Sequence, residues 1–247
     1  MKLLTESTHN PKTAKSIKAG YETGILHLAP ANMSSYNVCQ FSTSGCRKAC
    51  LNSAGRAGIV KRGEKTNAIQ QARIARTVLF FQNQEQFGEL LYRDIKTVVT
   101  KAAKKKLTPA IRLNGTSDLP WESITFDIAC SGKTILDIFP NVQFYDYTKN
   151  ASRLYKMDRD NYHLTLSRYE TTQGDNWRDC KEWLRNGRNV AVVFRKTLPP
   201  FFRGHDVIDG DVHDVRMLDR QGVVVGLLAK GKAKKDTTGF VVDGMVS

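Results

Sequence analysis

The sequence contains no uninterrupted apolar stretch of about 18 residues, which is the length that a membrane-crossing helix requires. Its N-terminal segment also lacks an apolar core of signal-peptide length. Acidic residues are scarce, since 24 Asp and Glu stand against 38 Lys and Arg, for a formal net charge of +14. The absence of a membrane-spanning stretch and of a signal-peptide core predicts a cytoplasmic protein with no membrane partner. The positive charge, with lysine runs at 101–106 and 230–235, favours polyanionic partners such as nucleic acid.

Several common motifs are also missing. No G-x-G-x-x-G occurs, no Ser-His-Asp nucleophile elbow is visible, and SGKT at 131–134 lacks the first glycine of a phosphate-binding loop. The sequence has only five cysteines, and this odd number argues against a disulfide framework. Three of them, Cys39, Cys46 and Cys50, are close together in the chain, and in a cytoplasmic protein this pattern favours metal or redox chemistry.

Strand and helix patterns alternate along most of the chain. Strands are predicted at 23–29, 110–115, 142–148, 162–167, 189–194 and 223–229. Helices are predicted at 64–81, 84–104, 121–139, 150–157 and 175–186. This alternation predicts an α/β fold, and we expect a partial (β/α) barrel with six or seven mainly parallel strands. A doubly wound open sheet is the alternative.

No internal repeat divides the chain. We therefore expect residues 23–230 to form a single α/β domain, preceded by a flexible N-terminal arm at 1–22 and followed by a basic C-terminal tail at 231–247. After the first predicted strand comes a loop at 30–58 that is rich in Gly, Ser and Asn. A loop of this length in a compact domain is usually functional, and this one contains the three clustered cysteines.

The clustered cysteines have the spacing C-x6-C-x3-C. Thiolates on a flexible loop can wrap a metal centre, and three of them can hold a 4Fe–4S cluster whose fourth iron stays open to another ligand. The main alternative is zinc with His27 or His163 as a fourth ligand, although a second close cysteine pair is missing. Three unligated thiols are the remaining alternative. Cys130 and Cys180 are expected to pack in the core, with Cys130 also a candidate for the fourth cluster ligand.

Four segments resemble a known family: LAPANMSSYNVCQFSTSGCRKACLNSAGR, IRLNGTSD, FPNVQFYDYTK and GDVHDVRMLD. Over roughly residues 23–230 the chain resembles phage-encoded proteins that carry a Cys-rich loop after the first strand and are similar to radical S-adenosylmethionine (SAM) proteins. The resemblance implies a barrel of the radical-SAM type, a 4Fe–4S cluster on Cys39, Cys46 and Cys50, and SAM at the open iron. The usual radical-SAM signature is C-x3-C-x2-C, so the wider spacing here leaves open whether SAM is cleaved. The resemblance identifies neither a substrate nor an electron donor.

Polar residues follow three of the predicted strands. They are Asn114, Thr116, Ser117 and Asp118, then Tyr145, Tyr147 and Lys149, then Ser167 and Arg168. The carboxyl ends of parallel strands meet at one edge of a sheet, so these side chains are expected to ring one rim. There they could meet the amine and ribose of SAM, and Arg168 could clamp a carboxylate with two hydrogen bonds. Each residue alone is more typical of an ordinary strand-to-helix loop, whereas the set together favours a binding function.

A second group of ionisable residues lies within 205–219. It contains His205, Asp206, Asp209, Asp211, His213, Asp214 and Asp219. Carboxylates with imidazoles suit divalent metals and phosphodiester hydrolysis, so a metal-dependent nuclease that uses the Asp and His residues at 205–214 is one alternative function. The structural alternative is an acidic turn whose charges pair with Arg203, Arg216 and Arg220. A basic nucleic-acid-binding protein with a structural cysteine site is a further alternative function.

Overall fold

The computed structural model describes residues 1–6, 11–31, 33–128, 132–156 and 159–244. Its strands are β1 Leu4–Glu6, β2 Tyr21–Leu26, β3 Thr108–Arg112, β4 Thr125–Phe126, β5 Lys133–Thr134, β6 Gln143–Thr148, β7 Tyr162–Ser167, β8 Glu170–Thr171, β9 Gly174–Asp175, β10 Val190–Phe194, β11 Phe201–Phe202, β12 His205–Asp209, β13 Val224–Leu228 and β14 Val241–Val242. Its α-helices are α1 Pro11–Lys18, α2 Ser44–Lys48, α3 Ala68–Gln82, α4 Gln84–Lys104, α5 Ile135–Ile138 and α6 Trp177–Arg185. Short 3-10 helices cover Leu51–Ser53, Gly55–Gly58, Ala151–Lys156, Arg216–Leu218 and Gly231–Lys235.

One large sheet organises the fold, and its centre consists of parallel strands in the order β2-β3-β6-β7-β10-β13-β12. β1 pairs antiparallel with β2 at one edge, and β11 pairs antiparallel with β12 at the other. The mixed α/β fold with a mainly parallel sheet is therefore confirmed. Within the described ranges the two edge strands do not pair with each other, so closure of the sheet into a barrel is not established.

Two long helices pack against each other, and α4 lies on β1, β2 and β3. Asn67 and Gln70 form a reciprocal capping box that begins α3, and Asn83 both ends α3 and caps the start of α4. On α4, Leu91 and Ile95 recur at helical spacing and are fully buried in the main core. Burying such a side chain contributes about 1.5–3 kcal/mol, so these contacts fix the helices on the sheet. No helix in the described part of the chain is long and apolar enough to cross a membrane.

The sheet extends into both segments predicted as an arm at 1–22 and a tail at 231–247, since β1 pairs with β2 and β14 pairs with β10. Leu3 and Leu4 are buried in the core, and their backbone amides donate to Asp94 at 2.7 and 3.1 Å. At the other end, β14 pairs parallel with the last two residues of β10. A few apolar residues in otherwise polar segments make these contacts, and sequence periodicity is too weak over two or three residues to detect them.

Two internal predictions are corrected. The helix predicted over 121–139 is mostly absent from the described residues of that range, where β4 and β5 pair antiparallel and only α5 is helical. Cys130 lies outside the described residues. The segment predicted as an acidic turn begins instead with β12, because Val207 and Ile208 pair with β13 at the sheet edge.

Candidate functional site

A cavity of about 430 Å³ opens at the carboxyl ends of the parallel strands. Its lining includes the last or nearly last residues of five neighbouring strands, namely Arg112, Tyr147, Ser167, Val193 and Leu227. The loop between β2 and α3 supplies much of the opposite wall, including all three clustered cysteines. Open parallel sheets bind ligands at this edge, so the position of the cavity is that of a functional site.

Most of the residues that the sequence singled out line this one cavity. They are Cys39, Cys46, Cys50, Asn114, Thr116, Ser117, Asp118, Tyr147, Lys149 and Ser167. They come from four separate parts of the chain, and the parallel arrangement of β3, β6 and β7 brings three of those parts to the same edge. That they bind a cofactor stays a prediction.

Tyr145 and Arg168 do not line the cavity. Tyr145 precedes Tyr147 by two residues on the same face of β6 and is therefore one layer deeper, where its hydroxyl donates to Asp214 at 3.4 Å. Arg168 is buried, pairs with Asp175 at 2.9 Å, and donates to the Phe240 carbonyl at 3.0 Å. Its guanidinium therefore connects β9 to the segment before β14, and the predicted clamp on a ligand carboxylate stays a prediction.

The loop after β3 uses its own polar groups to hold its shape. The side-chain oxygen of Asn114 accepts from the Leu119 amide at 2.9 Å, the Trp121 indole at 3.0 Å and the Ser117 hydroxyl at 2.8 Å. The Asn114 side-chain nitrogen donates to the Leu119 carbonyl at 2.9 Å. Buried polar groups need such partners, and Asn114 is only 2% exposed. These hydrogen bonds give Asn114 a structural role, and its predicted contact with a ligand amine or ribose stays a prediction.

Thr116 and Asp118 likewise connect this loop to its neighbours. The Thr116 hydroxyl donates to the Leu28 carbonyl at 2.6 Å, which joins the loop to the end of β2. Asp118 accepts from the Lys149 amide at 2.8 Å and lies 3.4 Å from Arg153. These contacts explain why the polar sequence after β3 is needed even without a ligand.

Each of the three cysteine thiols belongs to a different local structure. Cys39 donates its thiol to the Thr116 carbonyl at 3.6 Å. Cys46 lies in α2, whose N-cap Thr43 accepts from the Cys46 amide at 3.2 Å. Cys50 precedes the 3-10 helix Leu51–Ser53, and its sulfur accepts from the Asn52 amide at 3.5 Å. The loop therefore orients three free thiols with short turns rather than with one regular element.

Burial governs the protonation of two of these thiols. It raises the pKa of Cys39 to about 11 and also raises the pKa of Cys50, because a thiolate is poorly solvated there. A metal centre that binds these sulfurs would therefore displace protons, and its affinity would increase with pH. Within the described ranges, no three His, Cys, Asp or Glu side chains are close enough together to hold one ion.

Two cations contribute to the cavity wall. Burial opposes the charge of Lys149, but Cys46 and Asp118 outweigh it and raise the pKa of Lys149. Arg112, which sequence reasoning missed, donates to Asp214 at 3.0 Å and stacks 4.7 Å from the centre of the Tyr147 ring. The available signal for Arg112 was a charged residue between the apolar Ile111 and Leu113. A lone arginine in a buried strand needs an oppositely charged or hydrogen-bonding partner in the fold.

Two further supports of the cysteine loop were also missed. Arg73 of α3 is buried and donates to the side chain of Asn52, which lines the cavity next to Cys50. Glu170 of β8 accepts from the Gly45 amide at 2.6 Å and so anchors α2. Neither contact has a local sequence signal, because the partners are far apart in the chain.

The proposed fourth ligands lie elsewhere in the fold. His27 and His163 do not line the cavity, and burial lowers their pKa values to about 3 and about 4, so both imidazoles are neutral at physiological pH. A zinc site that includes either residue has no geometric support within the described chain. Cys180 is fully buried in the main core, as predicted.

The ionisable residues at 205–219 are largely engaged in ion pairs. Asp206 pairs with Arg220 at 2.7 Å, and Asp219 lies 3.2 Å from Arg216. Asp211 pairs with Lys230 at 2.6 Å. Arg203, the third expected partner, pairs instead with Asp175 at 2.9 Å. The ion pairs of Arg216 and Arg220 agree with the structural alternative, whereas that of Arg203 does not. The segment offers no group of three ligands for a catalytic ion among the described residues.

Comparison with known proteins identifies a family. A family model described as gene product 88 matches residues 2–244, which include every strand of the sheet and the whole cavity. No curated protein and no solved structure matches the chain.

Proposed function

For this chain, which belongs to the gene product 88 family, a phage-type family, we propose that Cys39, Cys46 and Cys50 bind a 4Fe–4S cluster. One iron of the cluster is left open to a small-molecule ligand. The observation that carries the proposal is that three thiols from three different turns line a single cavity at the carboxyl edge of a parallel sheet. Such an edge is where α/β folds bind their ligands.

The chemistry of these donors suits a cluster. Thiolates are soft ligands that favour iron–sulfur centres, and in a cubane each sulfur binds a different iron, so the thiols need space between them. The three sulfurs line a cavity of about 430 Å³. Burial lowers the pKa of Lys149, but the nearby Cys46 and Asp118 outweigh this effect and raise it overall. The positive charge of Lys149 would offset the thiolates. Apolar lining residues such as Met33 and Phe240 would limit the access of water.

We propose SAM as the ligand at the open iron, and a fold related to the partial barrel of radical-SAM proteins. The near-sequential order of seven parallel strands supports that relationship. When bound, the cluster supplies one electron at a time to a ligand on its open iron. Ser167 and Lys149 are the predicted rim residues best suited to orient polar groups of SAM, since Asn114 and Thr116 are engaged within the protein.

Iron and sulfide analysis tests the cluster directly. Protein purified without oxygen is expected to be brown and to contain about four irons per chain. Cys46→Ser should lose most of the iron, the sulfide and the colour, because the cluster then has only two cysteine ligands. Cys180→Ala is the control that should retain them, since Cys180 lies in the core and does not line the cavity. Colourless protein with stoichiometric zinc, or iron retained by Cys46→Ser, would contradict the proposal.

Electron paramagnetic resonance tests the ligand. The reduced protein is expected to give a 4Fe–4S spectrum whose g values shift when SAM is added, because the amino and carboxylate groups of SAM would bind the open iron. S-adenosylhomocysteine serves as a related ligand for comparison. A cluster spectrum that SAM leaves unchanged would retain the cluster and remove SAM from the proposal.

A further inference from the structure

The two lysine runs of the sequence lie at opposite ends of the sheet. Residues 101–106 end α4 and lead into β3, so they lie at the amino ends of the strands. There Lys101 pairs with Glu6, and Lys105 pairs with Glu22 at 2.8 Å. Residues 230–235 follow the carboxyl end of β13. Only the second run is therefore next to the cysteine-lined cavity.

A second cavity, of about 230 Å³, lies between this run and the end of α2. Its lining includes Lys48, Lys232, Lys235, Asp236, Thr237 and Thr238. Ala49 lines both cavities, and Lys230 and Ala233 from the same lysine run line the larger one. The two cavities are therefore adjacent, and the segment that carries Cys46 and Cys50 separates them.

The smaller cavity is strongly cationic. The carboxylate of Asp236 is turned into its own loop, where it accepts from the Thr238 hydroxyl at 2.7 Å and from the Val241 amide at 3.0 Å. Lys48, Lys232 and Lys235 form no ion pair with any residue that the structure describes. Three ammonium groups around a concave surface concentrate positive potential there, and this potential attracts phosphate.

We propose that this lysine-lined cavity binds a phosphate of a nucleotide whose base or sugar enters the cysteine-lined cavity. The ammonium groups and the Thr237 hydroxyl suit a phosphate, and the adjacent wall with Leu51 and Phe240 suits an uncharged ring. The inference rests on the proposed function for the identity of the reaction site, but phosphate binding itself does not require the cluster. A free nucleotide and a nucleic-acid strand offer the same phosphate chemistry, and the experiment separates them.

The test measures binding of a short fluorescein-labelled single-stranded oligonucleotide over a series of salt concentrations, with a nucleoside monophosphate as competitor. Lys232→Gln/Lys235→Gln is expected to weaken binding on the order of tenfold and to reduce the salt dependence by roughly one unit of slope per lysine. Lys104→Gln/Lys106→Gln removes the same charge at the other end of the sheet and should bind like the unmodified protein. Single Lys235→Gln provides a smaller change if the double variant unfolds.

Each outcome decides the inference. Selective loss of binding in Lys232→Gln/Lys235→Gln supports the inference. Competition by the monophosphate then indicates a free nucleotide. Oligonucleotide binding that the monophosphate does not displace indicates a strand. Equal weakening in both lysine pairs would assign the binding to general surface charge and overturn the inference, as would no binding at all. Cys46→Ser should keep nucleotide binding while losing iron, so failure of the cluster proposal and failure of this one remain distinguishable.

Discussion

Gly45→Ala is expected to abolish most iron binding while leaving all three cysteines in the chain. A methyl group at Gly45 would collide with the Thr238 hydroxyl, and it would lie 2.7 Å from the Glu170 carboxylate and 2.8 Å from Phe240. Overpacking of this kind costs about 1–3 kcal/mol or forces the backbone to move. Because α2 has only five residues, a movement of Gly45 displaces the neighbouring Cys46 relative to Cys39 and Cys50. Iron and sulfide per chain are the measurement.

Ser44→Ala is the matched control for this substitution. It changes the adjacent residue of the same short helix but adds no atoms, so iron content should stay close to that of the unmodified protein. Circular dichroism should show that Gly45→Ala remains folded, since Gly45 is not part of the main core. The rate at which iodoacetamide modifies Cys46 in metal-free protein gives a second readout, independent of the cluster. Full iron content in Gly45→Ala would show that α2 does not determine the site.

Asn114→Ala is expected to lower the free energy of unfolding on the order of 4 kcal/mol. The substitution leaves the Leu119 amide, the Leu119 carbonyl and the Trp121 indole nitrogen without the partner that Asn114 provides. Each buried polar group that loses its partner costs about 1–3 kcal/mol. Trp121 is fully buried, so water cannot readily replace the asparagine. Urea denaturation of metal-free protein measures the change.

Two comparison variants distinguish the stabilising contribution of Asn114 from that of its hydrogen-bond partners. Ser117→Ala removes one hydrogen bond to the same Asn114 oxygen and should cost only about 1 kcal/mol. Asn114→Asp keeps the shape but cannot donate to the Leu119 carbonyl, and it adds a charge next to Asp146, whose pKa burial already raises to about 7. It should therefore be as destabilising as the alanine variant at neutral pH. A cost below about 1 kcal/mol for Asn114→Ala would show that the loop does not depend on this residue.

The main strands were predictable because each has a local apolar signal. β6, β7, β10 and β13 all lie within the predicted segments, and the capped helices α3 and α4 were predicted to within a few residues. Strands of two or three residues were not predictable, since β1, β4 and β14 are too short to show a period. They form because a neighbouring strand offers unpaired backbone groups, which is a property of the folded chain.

The sequence by itself determined most of the predicted residues that meet at the cavity, although not Tyr145 and Arg168. Three cysteines close together and polar residues at the ends of predicted parallel strands must share one edge of the sheet, because parallel strands all end on the same side. Tertiary structure alone decided what each side chain does there. Asn114 turns into its loop, Arg168 fastens β9, and the lysines at 230–235 lie against α2. A hydrogen bond or ion pair needs a partner within a few ångströms, and the partners here come from distant parts of the chain, so no local pattern could reveal them.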